Sequence, residues 1–246
     1  MPDFTFRNNP NLASLDVGGN RIFELSENSF TGSALTHLDV DSNRLTDFNP
    51  AWFESINQTL RVLDIFGNNL LNLNSNGFAN LRGITTLIAG SNPFWNIAHD
   101  AFTGLEAIET LSLSQCGITA MAPSWFEGMS SLTNLYLQDN NIGFLPDGIF
   151  NSLTSLRSLT ITDNNLRFLG AAAFGTSLAS VQNILASRNR IRAFDSAILD
   201  GADNLQWLML NGNICTQSDF VLSMPGDLDG IRQSLTRCFA NFGSDE

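Results

Sequence analysis

The chain has 246 residues, 43% hydrophobic and 15% charged, and its net charge of -12 is set against twelve arginines with no lysine. This is the composition of a globular chain, and no run reaches the roughly 18 apolar residues of a membrane helix, so no membrane insertion is expected. The acidity, with no basic residue between Arg82 and Arg157, speaks against nucleic acid and anionic membranes as partners, since both need a basic footprint.

From the N-terminus onward, one short pattern returns nine times at intervals of 23 to 25 residues. Its apolar positions read Leu12-Leu15-Val17-Ile22, Leu35-Leu38-Val40-Leu45, Leu60-Leu63-Ile65-Leu70 and Ile84-Leu87-Ala89-Phe94. They continue as Ile108-Leu111-Leu113-Ile118, Leu132-Leu135-Leu137-Ile142, Leu156-Leu159-Ile161-Leu166, Val181-Ile184-Ala186-Ile191 and Leu205-Leu208-Leu210. The two central positions of each unit alternate with polar residues, which predicts a short strand with one buried face. After each strand stands an Asn: Asn20, Asn43, Asn68, Asn92, Asn140, Asn164, Asn189 and Asn213, with Cys116 in the remaining slot. Its amide is expected to satisfy backbone groups in its own coil and the next. The second half of each unit carries Phe6, Phe30, Phe53, Phe78, Phe102, Phe126, Phe150 or Phe174, with Ile198 in the last place, so these Phe read as packing between coils.

The frame Leu-x-x-Leu-x-Leu-x-x-Asn-x-Leu resembles the leucine-rich repeat family over about residues 6 to 215. Leu145-Pro146-Asp147-Gly148-Ile149-Phe150 is similar to the roughly 24-residue repeats of extracellular and receptor members. The resemblance implies an α/β solenoid: a horseshoe of nine coils, a parallel β-sheet on its concave face, a Phe spine on its convex side and a small helical C-terminal cap. Coils stack because one alone cannot bury its apolar face. The expected division is residues 1–214 for the solenoid and 215–246 for the cap. The chain opens without a charged and apolar leader, and Phe6 already holds a spine position, so the start reads as mid-repeat, in a fragment with an added Met1.

Cys116, in a slot where the family accepts Cys, reads as a buried inert thiol. That leaves Cys215, directly after the last repeat, and Cys238. The segment from Asp227 to Phe239 places Leu228, Ile231, Leu235 and Cys238 on one helical face, and a Cys215–Cys238 bridge would staple it over the last coil. The ending from Asn213 through Cys238 to Phe242 resembles a reduced form of the C-terminal caps of extracellular members and is similar to endings of secreted arthropod members. Such a bridge implies an oxidising compartment. Together with the sequon Asn57-Gln58-Thr59, a candidate glycosylation site at Asn57, it points to a secreted protein.

No catalytic constellation stands out, and His37 and His99 are too few for a multi-His metal site, so an enzyme, a cofactor and a resident metal are not expected. The outward strand positions form three zones. At the start Asp16, Asp39, Asp41 and Asp64 make an acidic patch. Its charge is expected to be neutralised by Arg21, Arg44, Arg61 and His37, the other reading being Ca²⁺, which takes six to eight oxygens. In the middle, Thr86, Thr110, Ser112, Ser114, Thr160 and Thr162 suit either a glycan-binding or ice-like flat surface or, the preferred reading, simply an exposed strand. Asp139, Asp163 and Arg188 share one column and are expected to pair laterally. At the end Tyr136, Leu185, Trp207 and Met209, with Phe66 earlier, are the candidate ligand-binding residues. The alternative there is that the cap folds over Trp207. The expected function is a non-enzymatic extracellular module that binds a protein or a microbial or glycan ligand through the concave face, with a role in innate immunity implied by the resemblance. A scaffold that self-associates through the concave face or the N-terminal end is the second reading, and the chain is expected to be a monomer or homodimer.

Overall fold

A computed structural model describes residues 1–222 and 228–241. Asp227 and Phe242, the ends of the expected helical segment and cap motif, lie outside the described residues. The chain folds as two units: Met1–Cys116 with Glu127–Ser131, and Gly117–Phe126 with Leu132–Glu246.

In the first unit, β1 (Ser14–Asp16), β2 (His37–Asp39), β3 (Val62–Asp64), β4 (Thr86–Ile88) and β5 (Thr110–Ser112) pair in parallel in chain order. The register is that of the repeat, Asp16 beside Asp39 beside Asp64 beside Ile88 beside Ser112. Each strand is three residues long, and its central Leu (Leu38, Leu63, Leu87 and Leu111) is buried while the flanking side chains turn outward. In the first coil, Leu12, Leu15, Val17 and Ile22 are only half-buried. In the second unit, β6 (Asn134–Tyr136), β7 (Ser158–Thr160), β8 (Asn183–Leu185) and β9 (Trp207–Met209) pair in parallel with the same phase.

The Asn column ties coils together, but it reaches back rather than forward. Asn92 Oδ1 accepts from Leu70 N–H at 3.1 Å, and its Nδ2 donates to the carbonyls of Ile65, Ala89 and Gly90 at 3.0–3.1 Å. Leu70 and Ile65 belong to the preceding coil. Asn43, Asn68, Asn164, Asn189 and Asn213 repeat the arrangement. The backward reach follows from the turn: the strand has just ended, and the amide lies under the chain that has already left the previous coil. The residue before each Asn adopts a left-handed backbone. Gly19, Ser42, Gly67, Ser91, Gln115, Asp139, Asp163, Arg188 and Gly212 all have φ between 50° and 72°.

The Phe column forms the expected spine. Phe30, Phe53, Phe78, Phe102, Phe126, Phe150 and Phe174 are buried, and Ile198 takes the same role at the end. Successive rings lie against one another, stacked with centroids 6.0 Å apart for Phe78–Phe102 in the first unit and tilted at 5.4 Å for Phe150–Phe174 in the second. Cys116 is buried in the Asn slot, its sulfur 3.5 Å from Ala89 O and 3.3 Å from Ser114 O, and burial pushes its thiol up to about 11.

After β9 the chain forms β10 (Asp219–Val221), which pairs antiparallel with β9 and was not expected from the sequence. The expected helical segment is present as two short helices, α1 (Leu228–Ser234) and α2 (Thr236–Ala240), broken at Leu235. Ile231, Leu235 and Cys238 are buried, and the Cys215–Cys238 disulfide is formed with Cα atoms 5.1 Å apart. The Phe239 ring lies 6.1 Å from Phe194, Asn241 Nδ2 donates to Arg192 O at 2.8 Å, and Arg232 pairs with Asp200.

Candidate ligand-recognition surface

Strand register brings most of the apolar candidates of the second unit onto one face. Leu185 lies beside Met209 and Met209 beside Asp219, while Asn183 lies beside Trp207 and Trp207 beside Val221. Tyr136 and Thr160 stand in the same column as Leu185. Trp207 is 48% exposed and Val221 62% exposed, whereas Tyr136, Leu185 and Met209 are half-buried. The cap therefore does not bury Trp207: β10 runs alongside β9 and extends the face instead of covering it. Beside this face, Arg188 Nε and Nη2 donate to Asp163 at 2.6 and 2.5 Å, as lateral pairing predicts, and the guanidinium holds the Asp163 carboxyl below its usual range.

Phe66 belongs to the first unit and is half-buried against Gly90. A Cβ on Gly90 would lie 3.1 Å from the Phe66 ring and 2.6 Å from Ser114 Oγ. This explains a correction. Ser112 and Ser114 are buried, their hydroxyls 3.3 Å apart, and so do not join Thr86 and Thr110 on an open hydroxylated surface. The Phe66 ring and the Ser114 hydroxyl both reach into the space that a side chain at residue 90 would fill.

The acidic patch is real, but arginines do not neutralise it. Carboxylate oxygens of Asp16, Asp39 and Asp41 lie within 4.8 Å of one another, and Gly18 leaves the room: a Cβ there would sit 1.9 Å from Asp41 Oδ1. Asp16, Asp39 and Asp64 each accept the N–H two residues on, from Gly18, Asp41 and Phe66, at 2.8–2.9 Å. Among the described residues, no ion pair joins them to Arg21, Arg44, Arg61 or His37. Arg61 Nη1 instead donates to the carbonyls of Gln58 and Leu60, and His37 Nδ1 lies 2.8 Å from Thr36 Oγ1. The short bonds to backbone fix the carboxylates along the strand, while Arg21 and Arg44 follow the Asn, where the chain has turned away.

Burial, then repulsion from Asp39 and Asp41, pushes the Asp64 carboxyl up to about 6, and Asp39 is raised by burial and by Asp41 and Asp16. A carboxyl raised in the folded state binds protons more tightly there, so its contribution is full below about pH 4 and is lost as pH rises through about 6. The expected result is a melting temperature that falls between pH 4 and 6 on this account. Asp64→Asn keeps the oxygen that accepts from Phe66 and should flatten that decline. A melting profile as steep in the variant as in the parent would remove Asp64 as its source.

Among the exposed apolar side chains that went unread in the sequence, three share one position of the repeat. Trp95 is 86% exposed, Phe23 72% and Leu71 40%. Each directly follows the inward residue after the Asn turn (Phe94, Ile22 and Leu70), and Trp95 N–H donates to Leu71 O at 2.7 Å. The signal was present: the position after an inward residue turns outward, and an aromatic there cannot be core.

A family model described as Leucine rich repeat matches residues 1–45, 33–94, 86–142 and 130–191. The chain belongs to the leucine-rich repeat family. Leucine-rich repeat proteins are in general non-enzymatic recognition modules that bind proteins or other ligands across stacked strands. No curated protein matches the chain significantly. Among solved structures, a crystal structure of a TLR13–ssRNA13 complex is similar at 23% identity and a TM-score of 0.74, over 95% of this chain and 36% of that one. A leucine-rich repeat protein of Leptospira interrogans is similar at 23% identity and a TM-score of 0.66, over 95% of this chain and 61% of that one. This leucine-rich repeat chain thus spans less than two thirds of either, and at such identities the likeness is one of fold.

Proposed function

We propose that the chain is a secreted recognition module whose second unit binds a protein, microbial or glycan ligand through the open face of β6 to β9, with Trp207 as the anchor. The observation that supports this most is Trp207 itself, a large aromatic half-exposed on a face where leucine-rich repeats usually present polar side chains, with Met209 and Leu185 beside it. Trp and Tyr are the residues most enriched among interface hot spots. The Cys215–Cys238 bridge supports an oxidising compartment and a cap over residues 215–246. Asn57 ends the 3₁₀ turn Pro50–Ile56 and is half-buried, and glycosylation there is part of the same reading. A role in innate immunity is what the family resemblance implies and belongs to the same reading, while the likeness to the TLR13 complex is one of fold. The RNA of that complex is not carried over, because a chain of net charge -12 lacks the footprint for it. The acidic patch at Asp16, Asp39, Asp41 and Asp64, taken by itself on the first unit, would favour a cationic group.

Trp207→Ala tests the anchor. The variant should unfold within about 0.5 kcal/mol of the parent, as for an exposed site, and lose about 2 kcal/mol of affinity for ligands found on glycan and extracellular-protein arrays. A large loss of stability would place Trp207 in the core, and array binding unchanged from the parent would remove it as the anchor.

A further inference from the structure

The face just described ends on a strand whose outer edge pairs with no other strand among the described residues. Trp207 N–H donates to Gln182 O, and Met209 O accepts from Ala186 N–H, so residues 207 and 209 turn their backbone groups toward β8. Leu208 therefore faces β10 and stands opposite Phe220 as a hydrogen-bonded pair, a phase with which Leu222 N–H to Gln206 O agrees. By alternation, Asp219 and Val221 turn their N–H and C=O groups away from β9. Among the described residues, no strand pairs there.

Sheet edges are usually blunted by lysine, proline, a bulge or a projecting charge. This one is not. Its outermost residue, Val221, is β-branched and exposed, and it lies opposite Trp207 in a non-hydrogen-bonded pair, where side chains approach most closely. The one charge on the strand, Asp219, is exposed but tied to the end of β9, where its Oδ1 accepts from Leu210 N–H and Asn211 N–H at 2.9 Å. Unpaired backbone donors and acceptors thus lie directly beside exposed apolar side chains. That pairing of features matches an extended polypeptide, which offers backbone groups to one and side chains to the other. A second copy fits poorly, since a three-residue edge buries far less than the roughly 1,000 Å² a stable interface needs, and two chains of net charge -12 repel.

We propose that β10 receives an extended segment of a protein partner as an added strand, paired to the backbone of Asp219 and Val221 and with an apolar side chain seated on Trp207 and Val221. The proposal rests on the recognition reading and narrows its ligand from protein or glycan to a polypeptide segment.

The test uses a random linear dodecamer phage library panned on the immobilised chain, with the enriched peptide titrated against parent, Val221→Pro, Val221→Thr and Trp207→Ala. Proline removes the outward N–H while the bonds of Phe220 and Leu222 to β9 remain, and threonine keeps both the N–H and the β-branched shape. Strand addition predicts about tenfold weaker binding for Val221→Pro and for Trp207→Ala and little change for Val221→Thr. On the parent alone, N-methylating the peptide at successive positions should weaken binding at every second residue, which keeps the test intact if the proline variant fails to fold. Undiminished binding to Val221→Pro with loss at Trp207→Ala overturns strand addition and leaves the recognition face standing. Undiminished binding to both overturns both, and a panning that enriches no peptide overturns strand addition.

Discussion

Asn92→Ala is expected to destabilise the chain by about 4 kcal/mol, the largest single-residue effect in the repeat frame. The side chain is fully buried and makes one bond as acceptor and three as donor, to Leu70, Ile65, Ala89 and Gly90. Alanine leaves Leu70 N–H without its partner and takes one bond each from Ile65 O, Ala89 O and Gly90 O, which keep Asn68 Nδ2, the Cys116 sulfur and Gly67 N–H, at about 1 kcal/mol for each bond lost. Two controls make the number interpretable. Asn92→Cys copies what stands at Cys116, whose sulfur still contacts two carbonyls, and should cost about half as much. Asn20→Ala removes an exposed amide bonded only to Val17 O and Gly18 O, and should cost about 1 kcal/mol or less. Urea unfolding followed by tryptophan fluorescence measures all three. If Asn92→Ala lay within the range of Asn20→Ala, the amide column would be packing rather than hydrogen bonding.

Removing the disulfide should come next in size. Cys215 and Cys238 close a loop with a sequence separation of 23, and the chain-entropy argument gives about 3 kcal/mol for a loop of that length. Both sulfurs are buried, so a paired Cys215→Ser and Cys238→Ser variant also places two hydroxyls among Ile231, Leu235 and the last coil. The double variant should therefore lose at least that amount in urea. Denatured without reductant, the parent should titrate as one thiol, that of Cys116. Three thiols in the parent, or a double variant as stable as the parent, would show that the cap does not depend on the bridge.

The strands, their register and the spine were legible because each is a column: Leu38, Leu63, Leu87 and Leu111 repeat one environment, and a single period places them all. What the period does not carry was misread. β10 lies past the last repeat, where Asp219-Phe220-Val221 has no sister coil to reveal its phase. Ser112 and Ser114 occupy outward positions, yet Phe66 and Gly90 break the column's uniformity, and both serines are buried. The expected neutralisation of the acidic patch failed for a related reason. Proximity in sequence put Arg21 and Arg44 near the aspartates, but side-chain direction is set by the Asn turn between them. Trp207 was placed on the correct face, while its exposure depended on where a non-repeating cap would go.

The left-handed residue before each Asn has a consequence for how such a surface can change. Glycine would fit this backbone without steric cost, yet Ser42, Ser91, Gln115, Asp139, Asp163 and Arg188 occupy it in six of the nine coils. The turn is held by the side chain that follows, an Asn amide or, after Gln115, the Cys116 thiol, so the residue itself varies from coil to coil. Each coil thereby keeps one variable address at a fixed point of a rigid frame, next to the strand that would meet a ligand. Arg188 beside Asp163 shows that neighbouring addresses can also couple. A lineage of such chains can rewrite charge and shape there, coil by coil, while the amide column and the spine stay as they are.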